Sequence, residues 1–136
     1  MFLFKSPYAI IARLPGTTII RFKRLNATTR SVAETREQLQ RMIDALNSVD
    51  RSIHHLLMDT RDAPTRHAIP EAEFEKVLDE FRKQLMIGFA KVAVLVKTSV
   101  GKLQVTRMTR EDGVDARVFE DEAEALAYLS GRAEAR

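Results

Sequence analysis

Ile53-His54-His55-Leu56-Leu57-Met58, followed by Asp59-Thr60-Arg61-Asp62-Ala63-Pro64, is the stretch whose reading decides the fold. An apolar run of strand length stops at two carboxylates, with Thr60, Thr65, a proline and basic residues beside them. In an open α/β sheet, the loop outside the carboxyl end of a central strand is where ligands and partners dock. The loop from Asp59 to Pro70 is therefore the candidate functional segment.

On the C-terminal side, Pro70 suits a helix's first turn, where its missing donor costs nothing. Phe74, Val77, Leu78, Phe81 and Leu85 then form an apolar stripe, with Gly88 as the stop. Met86, Ile87 and Phe89 add apolar surface that either buries in the next connection or serves a partner. Val92-Ala93-Val94-Leu95-Val96 is apolar on both faces, the mark of a strand covered by helices on both sides. Residues 98–110 fit a helix through Val100, Leu103, Arg107 and Met108, or a strand through Leu103 and Val105; periodicity alone does not choose. A short strand around Val118 precedes a final helix opened by Asp121-Glu122-Ala123-Glu124, and 130–136 reads as a frayed tail.

On the N-terminal side, residues 8–14 and 17–22 are β-rich and flank the turn signal Pro15-Gly16, predicting a hairpin. Ser31-Val32-Ala33-Glu34 is a capping box, in which hydroxyl and carboxylate satisfy orphan backbone donors. Leu39, Met42, Ile43, Leu46 and Val49 follow as one stripe, predicting a helix over about 32–48. The order ββαβαβ(α)βα argues for an α/β sandwich with a mostly parallel sheet of about five strands and about four helices.

Composition bounds the function. With 136 residues, 45% apolar and 30% charged, the chain reads as one soluble globular domain. It has no cysteine, which excludes disulfides and thiol catalysis and fits a cytoplasmic location. Met1-Phe2-Leu3-Phe4 has no cationic residue before it, and Lys5 and Pro7 interrupt it far short of the ~18 apolar residues of a membrane helix. No signal peptide or membrane span is expected. The net charge of +3 is spread over two loose groups, Arg21, Lys23, Arg24 and Arg30 early and Lys97, Lys102, Arg107 and Arg110 late. Solvated faces account for these, so nucleic acid is not expected as a partner.

Leu56-Leu57-Met58-Asp59 with Arg61-Asp62-Ala63-Pro64, the strand Val92–Val96, and Arg117-Val118-Phe119-Glu120-Asp121-Glu122-Ala123-Glu124-Ala125-Leu126-Ala127-Tyr128-Leu129 resemble the SpoIIAA-like branch of the STAS superfamily. The resemblance covers about residues 8–130. It implies a SpoIIAA-like mixed sheet with an antiparallel first strand, and a helix over 98–110. Anti-sigma-factor antagonists of that superfamily carry an Asp-Ser-Ser-Gly motif after the corresponding strand, and a kinase phosphorylates one of its serines. Here Asp59 matches, Thr60 stands where a serine would, and the glycine is absent.

The resemblance implies a bacterial regulatory module without catalysis, binding another protein through the loop residues Asp59, Thr60, Arg61, Asp62, Thr65, Arg66 and His67 and the helix after them. Thr60 and Thr65 are the candidate phosphoacceptors, since an added charge of roughly −2 beside Arg61, Arg66 and His67 would order the loop. Met86, Ile87 and Phe89 are the candidate apolar interface, and a homodimer would use them. A second reading, suggested by the aliphatic content, is a carrier of a small or lipidic ligand. A third is an enzyme using Asp59, Asp62 and His67 in acid–base work, which requires those groups to converge. His54 and His55 are adjacent, so on a strand they face opposite sides, and no metal-ligand spacing is present. No metal or cofactor is expected: there is no Gly-rich phosphate cradle and no nucleophile elbow.

Overall fold

The computed structural model describes residues 2–131; from residue 132 the expected tail lies outside them. The strands are β1 (Phe2–Lys5), β2 (Ala9–Arg13), β3 (Ile19–Arg24), β4 (His55–Asp59), β5 (Lys91–Leu95) and β6 (Ala116–Phe119). The helices are α1 (Val32–Leu46), α2 (Glu71–Met86), α3 (Ser99–Glu111) and α4 (Glu122–Leu129). All six strands join one sheet in the order β1-β2-β3-β4-β5-β6, antiparallel through β3 and parallel beyond it.

The strand absent from the sequence reading is β1. Ser6-Pro7 is not a terminator there but the turn of a hairpin: Ser6 donates its amide to the Ala9 carbonyl at 3.0 Å, and Tyr8 donates its amide to the Ser6 hydroxyl at 3.1 Å. The second hairpin forms as expected around Gly16, whose φ of +71° is glycine's territory. Ser31 caps α1 by accepting the Glu34 amide, while the Glu34 carboxylate reaches back to the Arg30 amide at 2.6 Å. The central strand starts later than expected. Asp50 caps a single 3₁₀ turn, Arg51–Ile53, which leaves Ile53 exposed, and β4 runs from His55 to Asp59.

Residues 98–110 form a helix, with Thr98 accepting the Gly101 amide as its cap. Parallel neighbours joined by right-handed crossovers in a constant direction put all crossover helices on one side. Thus α1 and α2 bury Leu39, Met42, Leu46, Val77 and Leu85 against Phe22, Leu56, Met58, Val92 and Val94. The other side is covered by α4, whose Ala125, Tyr128 and Leu129 pack on Ile19, Leu57, Ala93 and Leu95. The two-residue alternation of a strand sorts β4 accordingly: even positions face α1–α3 and odd positions face α4.

Leu57 is fully buried in the α4-side cluster. Leu57→Ala should cost about 2–5 kcal/mol, read as a lower urea midpoint at unchanged slope.

Candidate functional site

The expected site loop begins at a carboxylate that is already engaged. Asp59 ends β4, odd-numbered and 2% exposed, on the α4 side of the sheet. Its Oδ1 accepts the Arg61 amide at 3.1 Å and the Arg61 Nε at 2.9 Å; its Oδ2 accepts Arg61 Nη2 and Arg21 Nη2, both at 2.8 Å. The same two guanidiniums donate to Glu122 Oε1 of α4, at 2.6 Å from Arg61 and 3.2 Å from Arg21. Two cations and two carboxylates thus balance, joining β3, β4, the following turn and the start of α4. Burial alone would push the Asp59 carboxyl up, but the Arg61 side chain and amide, with Arg21, outweigh it and hold it at about 2. The Asp59 and Glu122 carboxylates in turn raise the Arg61 guanidinium above its ordinary range.

The rest of the loop divides. Thr60 donates its hydroxyl to the Leu95 carbonyl at 2.7 Å, closing β4 onto β5. Asp62 is exposed, 3.7 Å from Lys23, and Thr65 and Arg66 are exposed. His67 folds inward and stacks on Phe74 of α2, ring centroids 3.6 Å apart. Burial lowers its pKa against the opposing pull of Glu71, and the Arg24 charge lowers it further. Of the apolar trio, Met86 is buried, Phe89 lies under the Arg51 guanidinium at 4.9 Å, and Ile87 is exposed. Asp59 and His67 sit on opposite sides of the sheet, so Asp59, Asp62 and His67 do not converge. His54 caps the 3₁₀ turn with Nδ1 at 2.6 Å from the Asp50 carbonyl, and His55 opens β4. Among the described residues no group of three or more His, Cys, Asp or Glu could hold a metal ion. No helix among them is long and apolar enough to cross a membrane.

The larger feature lies on the other side of the sheet. A cavity of about 160 Å³ separates the even face of β3–β5 from α1–α3. Phe22, Met58 and Val94 make its sheet wall; Leu39 and Met42 of α1, Leu78 and Met86 of α2, and Val105 and Met108 of α3 close it from above. It exists because α2 and α3 do not settle fully onto the sheet. Phe74, Leu78 and Phe81 of α2 stay half-buried, and α3 fully buries only Thr109. Ionic ties hold this splayed layer: Arg36 to Glu80 at 2.8 Å between α1 and α2, and Arg82 to Asp112 at 2.7 and 3.0 Å from α2 to the end of α3. Sequence reasoning missed this cavity, although one signal was available. Of the five methionines in the chain, Met42, Met58, Met86 and Met108 all line it.

The ion cluster generates a pH prediction. A folded pKa of about 2 against an ordinary 3.8 means that Asp59 contributes about 2 kcal/mol, present in full above pH 4 and lost as pH falls toward 2. Acid titration of stability should show this loss in the wild type. Asp59→Asn should be less stable at neutral pH and should lack that acid-dependent component.

No protein-family model matches the chain, and no curated protein matches it. Among solved structures it is similar to an uncharacterized protein of the DUF3478 family, with a SpoIIAA-like fold, from Shewanella loihica PV-4. The two superpose with a TM-score of 0.56 at 20% identity, over 89% of this chain and 91% of that one. With the mixed six-stranded sheet and its four helices, this likeness identifies the architecture: the chain has a SpoIIAA-like fold.

Proposed function

We propose that the protein is a non-catalytic binding module that holds a small, largely apolar molecule between its sheet and helices α1–α3. The observation that carries this reading is the methionine-lined cavity. Protein interiors are close-packed, and leaving a mostly apolar space of about 160 Å³ unfilled costs the packing contacts its walls would otherwise make. An occupant offsets that cost. Methionine thioethers are unbranched and polarizable, so a wall built from four of them adapts to ligands of varied outline. Among the described residues the walls carry no carboxylate, and Asp59 and Asp62 lie away from them, which favours binding over acid–base work there.

The second reading is a regulatory module that binds another protein through the Asp59–Pro70 loop and α2. Exposure of Asp62, Thr65, Arg66 and Ile87 favours it. Thr65 is the accessible phosphoacceptor of the two, because the Thr60 hydroxyl already serves the Leu95 carbonyl. It ranks second because Asp59 and Arg61 spend their hydrogen bonds on each other and on neighbours within the chain.

Native mass spectrometry of gently purified protein should show a dissociable small-molecule adduct. Val94→Phe, which places a ring in the cavity, should remove the adduct and leave the fold intact by circular dichroism. A wild-type protein without an adduct, unable to take up any added apolar probe, would reject the carrier reading in favour of the partner-binding one.

A further inference from the structure

We propose that the cavity is selective for a small hydrophobic carboxylate, with Arg24 as the group that takes the ligand's charge. This rests on the cavity being a ligand site and adds the chemistry of the ligand.

Two guanidinium groups reach the cavity, and they are in different states. Arg82 is fully engaged: Asp112 receives it at 2.7 and 3.0 Å and Asp79 at 2.8 Å. Arg24 ends β3 and is partly buried, yet its side chain has no hydrogen bond or ion pair among the described residues. Among the described residues no Asp or Glu lines the cavity. A partly buried cation facing an apolar space without a counter-charge is an unfavourable arrangement unless an anion completes it. Burial accordingly lowers the Arg24 pKa from its ordinary value.

Register places Arg24 where a ligand head group would sit. Phe22 pairs with Met58 and Lys23 with Asp59, so the next residues, Arg24 and Thr60, are neighbours at the carboxyl ends of β3 and β4. Both continue the even face that carries Phe22 and Met58. That is the end of the strands where open α/β sheets receive ligands. Farther round the wall, Gln38 has a buried Oε1 without a partner. A half-turn of that amide would present its NH₂ instead, since the two ends are nearly alike in shape.

Charge and size narrow the class. One uncompensated guanidinium matches a monoanion, and its planar fork suits a carboxylate held by two parallel hydrogen bonds. A phosphate monoester, at roughly −2, would bring a second negative charge with no cation to meet it. A cavity of about 160 Å³ is close to the ~150 Å³ engineered cavity that accepts benzene, so the apolar body is of about ring size.

The test is calorimetric titration of the intact chain with benzoate and hexanoate against benzyl alcohol, 1-hexanol and phenyl phosphate. The acids should bind at least about tenfold tighter than the alcohols of like shape. Arg24→Met should abolish that preference by lowering acid affinity far more than alcohol affinity, and Arg24→Lys, which keeps the charge, should retain part of it. Equal affinity for acid and alcohol would overturn the carboxylate assignment and leave the cavity reading standing. Phenyl phosphate binding tighter than benzoate would overturn the monoanion assignment. Failure of every probe to bind would overturn the cavity reading itself.

Discussion

Strands β4 and β5 have no solvent side, and much of the molecule follows from that. Leu56, Met58, Val92 and Val94 must be covered by the crossover helices, and Leu57, Ala93 and Leu95 by α4. The chain supplies three helices for the first task and eight residues of helix for the second. With α4 so short, its seating on the sheet is reinforced at one end by the cluster of Asp59, Glu122, Arg21 and Arg61. On the opposite side three long helices overreach the surface they cover, and the surplus becomes a cavity. Because strand residues alternate, Asp59 and Thr60, adjacent in sequence, serve these two different sides.

That alternation also explains how far the sequence could be read. The capping box at Ser31, the turn at Pro15-Gly16 and the two-faced run Val92–Val96 are local signals, and each produced the expected element. Their order argued for an α/β sandwich with a mostly parallel sheet, and the resemblance implied its SpoIIAA-like form, which the structure has. β1 was hidden because Phe2–Lys5 is too short to show a period, and Ser6-Pro7 reads equally as a stop or as a turn. Ile53 looked like strand because it is apolar, but Asp50 caps a 3₁₀ turn first.

The site was harder to read than the fold. Asp59 is a carboxylate at a strand end, yet one of its two partners, Arg21, comes from another strand, and Glu122, which shares both guanidiniums, comes from the last helix. No local pattern reveals that such a charge is already spoken for. The cavity is equally non-local. Met42, Met58, Met86 and Met108 come from three helices and a strand, and each alone reads as ordinary core. Arg24 looked like one more member of a basic group with Arg21 and Lys23. In the fold, Arg21 and Lys23 turn to the α4 side and meet Asp59 and Asp62, while Arg24 turns to the cavity, whose lining holds no Asp or Glu among the described residues.

Occupation of the cavity is read most directly by methyl NMR of protein carrying ¹³C-labelled methionine methyls, titrated with benzoate. Benzoate entering the cavity should shift the methyls of Met42, Met58, Met86 and Met108 together along one saturating curve. Saturable binding with those four methyls unmoved would contradict cavity binding, because the ligand would then lie on the surface and the space beneath α1–α3 would have no part in it.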